Sequence, residues 1–193
     1  MIETNIGTKY IIKIPSNITV FYSNKNQIIV LKGPLGQKSL KLKVKIRILK
    51  EKNSILVSSS PFSKLSNSQK KKVKALQGTT VALIKKVVIE VSSTLYQKLK
   101  FVGVGYRVFD VENYENRLLL FRLGYSHSTY FKIPTELKIF CLKLTKLFIC
   151  GNSHQHVTQT AALIRSKKTP EPYKGKGILY NNEKIVLKEG KKI

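Results

Sequence analysis

Three short stretches of the chain combine glycine, an aromatic ring and a basic residue, the chemistry of a backbone laid close against a polyanion. They are Gly103-Val-Gly105-Tyr106-Arg107, Gly124-Tyr125-Ser126-His127 and Pro170-Glu-Pro-Tyr173-Lys174-Gly175-Lys176-Gly177-Ile178. Glycine lets backbone N–H groups approach phosphate oxygens, arginine bonds bidentately or stacks, and tyrosine lies against a ribose or a base. In the third stretch Pro170 and Pro172 fix φ and hold their predecessors extended, so the segment should neither continue a helix nor join a central strand. Gly175 and Gly177 permit left-handed angles, placing Lys174 and Lys176 on backbone that can follow a partner's contour. Each stretch alone also fits turn chemistry around a packed tyrosine. Three of them in one half of a chain favour a binding surface.

Other chemistries lack their residues. His154 and His156 lie near Cys150, but two imidazoles two apart on a helix point away from each other, so no metal is expected. Gly103 and Gly105 follow a strand, yet another strand pattern comes next and no third glycine, which rules against a dinucleotide fingerprint. The ten carboxylates include Glu112 and Glu115 in a loop and Glu171 near the end, with no acid–base pair and no magnesium set. No Ser/His/Asp nucleophile context is present. Cys141 and Cys150, eight residues apart without a CxxC, read as core thiols in a reducing compartment. The expectation is a protein that is not an enzyme and carries no cofactor.

The elements that must position the three stretches follow from periodicity. Leu40, Leu42, Val44, Ile46 and Ile48 alternate with Lys41, Lys43, Lys45 and Arg47, predicting one half-buried strand over residues 40–48. Residues 10–14, 18–21, 27–32 and 55–57 are further short strands of a mostly antiparallel sheet, with a hairpin turn at Gly33-Pro34-Leu35-Gly36. After Pro61 the period changes, and Val73, Leu76, Thr80, Leu83, Val87 and Val91 predict a long helix opened by Ser66, Asn67 and Ser68. Lys70, Lys71, Lys72 and Lys74 crowd its first turns, where the dipole disfavours cations, so an external anion is expected there. Strands at 95–102, 106–111, 118–123, 129–133, 138–142 and 147–149 follow, then a helix over 153–166 that ends in Arg165, Lys167 and Lys168 and is stopped by Pro170.

Thr80-Val-Ala-Leu-Ile-Lys85 aligns with Thr160-Ala-Ala-Leu-Ile-Arg165 at an offset of eighty positions. Together with strands-then-helix order in each half, this predicts an α+β fold of two duplicated domains, 1–92 and 93–169, each a small mostly antiparallel sheet covered by one helix, followed by a basic tail over 170–193. The tail, from Lys174 to Lys192, is expected to be mobile until it meets a partner, because its apolar content is small.

Charge names the class of partner. With 36 Lys and Arg against 10 Asp and Glu in 193 residues, the formal charge of +26 calls for a polyanion. At 42% hydrophobic residues, the chain is still built to fold. A membrane surface fits less well, since the cations sit on strands and loops instead of one amphipathic helix with apolar anchors, and no segment is long and apolar enough to insert. Only five of the basic residues are arginine, a usage that points to an AT-rich genome, and no presequence is evident, so the mature chain is expected to begin near Met1.

Residues 99–107, Leu123-Gly124-Tyr125-Ser126-His127 and residues 170–178, in that order and spacing, resemble the bacterial-type family of large-subunit ribosomal protein six. Val30-Leu-Lys-Gly33-Pro-Leu-Gly36 and the long helix are similar to the family's first domain, more distantly. The resemblance implies two duplicated α+β domains and a non-enzymatic protein bound to large-subunit rRNA near the sarcin-ricin loop, where translational GTPases dock, beside neighbouring large-subunit proteins. It implies rRNA contacts at Gly103, Gly105, Tyr106, Arg107, Gly124, Ser126, His127, Tyr173, Lys174, Gly175, Lys176 and Gly177. Lys167 and Lys168 join them on charge and adjacency alone. Ser128 departs from the small residue or proline usual after that histidine. The ending resembles mitochondrially encoded members, so a mitochondrial ribosome is the expected location, with a plastid or bacterial cytoplasm as alternatives. A nucleic-acid-processing enzyme or an accessory RNA-binding protein is the competing function.

Overall fold

The computed structural model describes residues 10–49, 53–57, 66–111 and 117–190. Glu112, Glu115 and Pro61 lie outside them. The chain divides into two compact units, Met1–Ser93 and Thr94–Ile193.

In the first unit, β1 (Ile11–Lys13) is followed by the meander β2 (Thr19–Ser23), β3 (Ile28–Gly33) and β4 (Gly36–Lys41), the hairpin β5 (Ile46–Leu49) and β6 (Ser54–Val57), and the helix α1 (Asn67–Ser92). The strands form two antiparallel sheets, β2-β3-β4 and β1-β6-β5. The predicted strand over 40–48 is therefore two strands. Its run breaks at residues 42–45, with β4 in one sheet and β5 in the other, while Leu42 and Ile46 stay buried and each basic residue between stays exposed. A corner conserves the alternation because each half faces the same core.

Helix α1 begins with a capping box: the Gln69 N–H donates to the Ser66 hydroxyl, and the Ser66 N–H donates to the Gln69 amide oxygen. Its buried stripe includes Gln77, Thr80, Val81, Ile84, Val87, Val88 and Val91. Leu76 and Leu83, expected inside, are exposed. The stripe is rotated by one position because Val81, Ile84 and Val88 take the core. The tight β3–β4 turn docks on the helix end, where the Leu35 N–H donates to the Val91 carbonyl (3.2 Å). A Cβ on Gly33 would stand 2.9 Å from that carbonyl oxygen.

The second unit repeats this order. Strand β7 (Leu95–Val102) precedes the meander β8 (Arg107–Asp110), β9 (Leu118–Arg122) and β10 (Thr129–Lys132), then the hairpin β11 (Leu137–Lys143) and β12 (Lys146–Gly151), then α2 (His154–Ser166). The order β11-β12-β7 mirrors β5-β6-β1. The eighty-residue offset reappears in burial: Gln77, Thr80, Val81 and Ile84 are buried, and so are Val157, Thr160, Ala161 and Ile164. Leu83 and Leu163, also equivalent, are both exposed.

One element departs from expectation. A last strand, β13 (Gly177–Tyr180), pairs antiparallel with the free edge of β7, giving a four-stranded sheet β11-β12-β7-β13. Residues 177–180 thus belong to the sheet: Ile178, opposite Phe101, is fully buried in the second core. The prolines keep their predicted effect, since β13 starts after them and takes an edge.

Candidate nucleic-acid interface

The end of α2 organises the interface. Just past that end, the Tyr125 hydroxyl donates to the carbonyl of the C-cap residue Lys167 (3.0 Å), and the Ile178 N–H to the Lys168 carbonyl (3.0 Å). The Gly124 loop and the C-terminal strand are thereby fastened to one helix terminus. Around that junction lies a cleft of about 330 Å³ lined by Tyr106, Tyr125, Lys167, Lys168, Glu171 and Lys176, with Ser166 and Thr169. The Lys168 ammonium sits 4.3 Å from the centre of the Tyr125 ring, and His127 stacks on that ring at 5.8 Å and 14°. A helix C-terminus favours cations, so Arg165, Lys167 and Lys168 are stable where they concentrate charge.

The turn over residues 170–177 is closed by its own backbone. The Glu171 N–H donates to the Lys176 carbonyl (2.9 Å), and the Gly175 N–H to the Glu171 carbonyl (3.0 Å). Gly175 is left-handed at φ 66°. A Cβ on Gly177 would lie 2.6 Å from Pro170 Cα and 2.9 Å from the Thr169 oxygen, so glycine is needed for the chain to pass itself. Tyr173 and Lys174 project from this turn into solvent. Beyond it, the Lys188 N–H donates to the Pro172 carbonyl (3.0 Å), and Glu183 forms a bidentate pair with Arg165 (2.6 and 3.2 Å). The guanidinium of Arg165 holds the Glu183 carboxyl below its ordinary pKa, against a smaller opposing effect of burial.

The other residues expected to bind fall into distinct roles. Tyr106 is buried in the core, with only its edge reaching the cleft. Gly103 and Gly124 lie against its ring: a Cβ at either would come within 3.0 and 3.1 Å of ring carbons. Their immediate role is to seat Tyr106. Gly105, at φ 76°, makes the turn into β8. Arg107 is exposed at the start of β8, directly opposite Arg122, and does not line the cleft. Ser126 and His127 are exposed on the Gly124 loop. Tyr125 was not among the predicted contacts, because a lone tyrosine in a turn reads as core. Its position beside Gly124 and His127 was the available signal.

His156 pairs through Nδ1 with the Glu136 carboxylate. Cys141 donates its S–H to Asp110 (3.2 Å), and burial, with that carboxylate's help, pushes its thiol up to about 12. Among the described residues no three His, Cys, Asp or Glu come together as a metal site, and no helix is long and apolar enough to cross a membrane.

The sequence of this chain is similar to that of known proteins along nearly all its length. It is 38% identical over 190 residues to the large ribosomal subunit protein uL6 of Mycoplasmoides gallisepticum, covering 97% of this chain and 96% of that protein. The chain belongs to the uL6 family. The uL6 protein of Rhodopseudomonas palustris is 36% identical, covering 98% of this chain and 99% of its own, and that of Nitrosococcus oceani 38%, covering 94% and 95%. The profile of ribosomal protein L6 matches residues 102–181, which hold all three glycine-rich stretches of this uL6 chain and β13. Members of the uL6 family are structural proteins, not enzymes.

Proposed function

We propose that this chain is a structural constituent of the large ribosomal subunit and binds its rRNA through the second unit. The carrying observation is the convergence of Lys167, Lys168 and Lys176 with the Tyr125–His127 stack around one cleft. Such a site presents ammonium groups to phosphates and ring faces to ribose or base, which is recognition by shape. Arg107, Ser126, His127, Lys167, Lys168, Tyr173, Lys174 and Lys176 act as the contacts. Gly103, Gly105, Tyr106, Gly124, Gly175 and Gly177 give the surface its contour. Within that reading, the rRNA partner lies near the sarcin-ricin loop and the GTPase docking region, with other large-subunit proteins as neighbours, as the family resemblance implies. Lysine-rich, arginine-poor usage supports a mitochondrial ribosome, with plastid or bacterial cytoplasm as the alternatives. Detection of the chain in ribosomes from purified mitochondria checks the location.

Binding to a large-subunit rRNA fragment tests the main reading. With Lys174→Gln and Lys176→Gln together, affinity falls and the slope of log K against log salt shrinks by about one unit per contact removed. An unchanged slope overturns the assignment of these lysines.

A further inference from the structure

The second unit carries another aromatic and basic surface that the cleft does not use. The sheet β11-β12-β7-β13 packs α2 against one face, where Leu99, Leu137, Ile139, Leu147 and Ile149 are buried. Residues at the alternate positions form the opposite face. Register places Phe140, Phe148 and Lys98 in one row across three strands, and Lys138, Cys150 and Tyr96 in the next. Tyr96 stacks on Phe148 at 5.1 Å and 21°, and the Lys98 ammonium lies 5.8 and 5.5 Å from the two ring centres. Tyr96 is 63% exposed and Phe140 51%. Lys146 and Lys100 make a third row.

We propose that this outer sheet face is a second RNA surface, one that takes unpaired nucleotides by stacking bases on Tyr96, Phe140 and Phe148 while Lys98, Lys138 and Lys146 hold the phosphates. Charge complementarity selects the occupant. No outward position of β7, β11 or β12 among these rows carries a carboxylate, so a polyanion meets no like charge along them. Rings already paired, with an ammonium over them, offer flat π-faces to any base, which is how single strands are bound without sequence preference. A duplex cannot use such a platform, because its bases are stacked on one another. The proposal rests on the reading of the chain as an RNA-binding protein for its class of partner, but not on the cleft.

Fluorescence anisotropy of the full chain with a labelled oligouridylate tests it. Tyr96→Leu with Phe140→Leu keeps most of the apolar area and removes two π-faces, and affinity is expected to fall roughly tenfold or more with the salt slope unchanged. Lys98→Gln with Lys146→Gln is expected to lower the slope by about 0.7 per lysine. If the leucine variant binds as tightly as the parent, the proposal is overturned, and that is also the outcome if the face docks an apolar protein surface. Photocrosslinking of the unsubstituted chain to 4-thiouridine RNA supports it with adducts at Tyr96, Phe140 or Phe148; adducts confined to the cleft overturn it. The Lys174→Gln, Lys176→Gln chain should still respond to ring removal, so failure of the cleft reading and failure of this one give different patterns.

Discussion

Gly124 meets two constraints at once, a φ of 72° and a tyrosine ring where a Cβ would go. Gly124→Ala should therefore lose about 1–3 kcal/mol, read by urea denaturation. Gly177→Ala should do worse locally, because the obstructing atoms are Pro170 backbone and cannot rotate away; hydrogen exchange at Ile178 and Leu179 should lose protection. For Tyr106, Tyr106→Phe should leave rRNA affinity unchanged, whereas Tyr106→Ala should cost about 3–5 kcal/mol of stability by emptying a core site. The positions of these glycines were legible in the sequence. Their reason was not, since a Gly beside a Tyr reads equally as a phosphate approach or a ring seat until Tyr106 is seen packed between Gly103 and Gly124.

At the scale of elements, periodicity was enough for both helices, with a cap marking the start of α1, and for most strands, because each depends on residues close in sequence. Two features were not legible for the opposite reason. The corner at residues 42–45 changes sheets without disturbing alternation, so the pattern carries no trace of it. Strand β13 has only Gly-Ile-Leu-Tyr, and its partner β7 lies about eighty residues earlier, so only tertiary pairing reveals it. The Tyr180 N–H donates to Glu183 (3.1 Å), which Arg165 grips. Because the Glu183 pKa is lowered in the folded state, this pair contributes its full stability above the ordinary carboxylate range and loses it as pH falls through the lowered value. Exchange protection at Tyr180 should drop in that acidic window, and Glu183→Gln should abolish the pH dependence while weakening protection throughout.

For the whole molecule, a charge of +26 acts on stability and on binding in opposite senses. Self-repulsion opposes the compact state and is relieved by screening. The thermal midpoint of the free chain should rise as ionic strength goes from about 0.01 to 0.15 M, while affinity for rRNA falls over the same range. Differential scanning fluorimetry and anisotropy in matched buffers check both; a midpoint indifferent to salt would mean the lysines are too dispersed to repel. Duplication also leaves an asymmetry. The edge of β7 is sealed by β13, yet β1, its counterpart, ends its sheet among the described residues. Strand β13 is made after every other element of the second unit. While the chain is being synthesised, Phe101 and Ile164 must wait for Ile178 before their core closes, and the helix terminus that gathers Lys167, Lys168 and Lys176 stays unfastened until then. The surface proposed to meet RNA is thus the last part of the second unit to be completed.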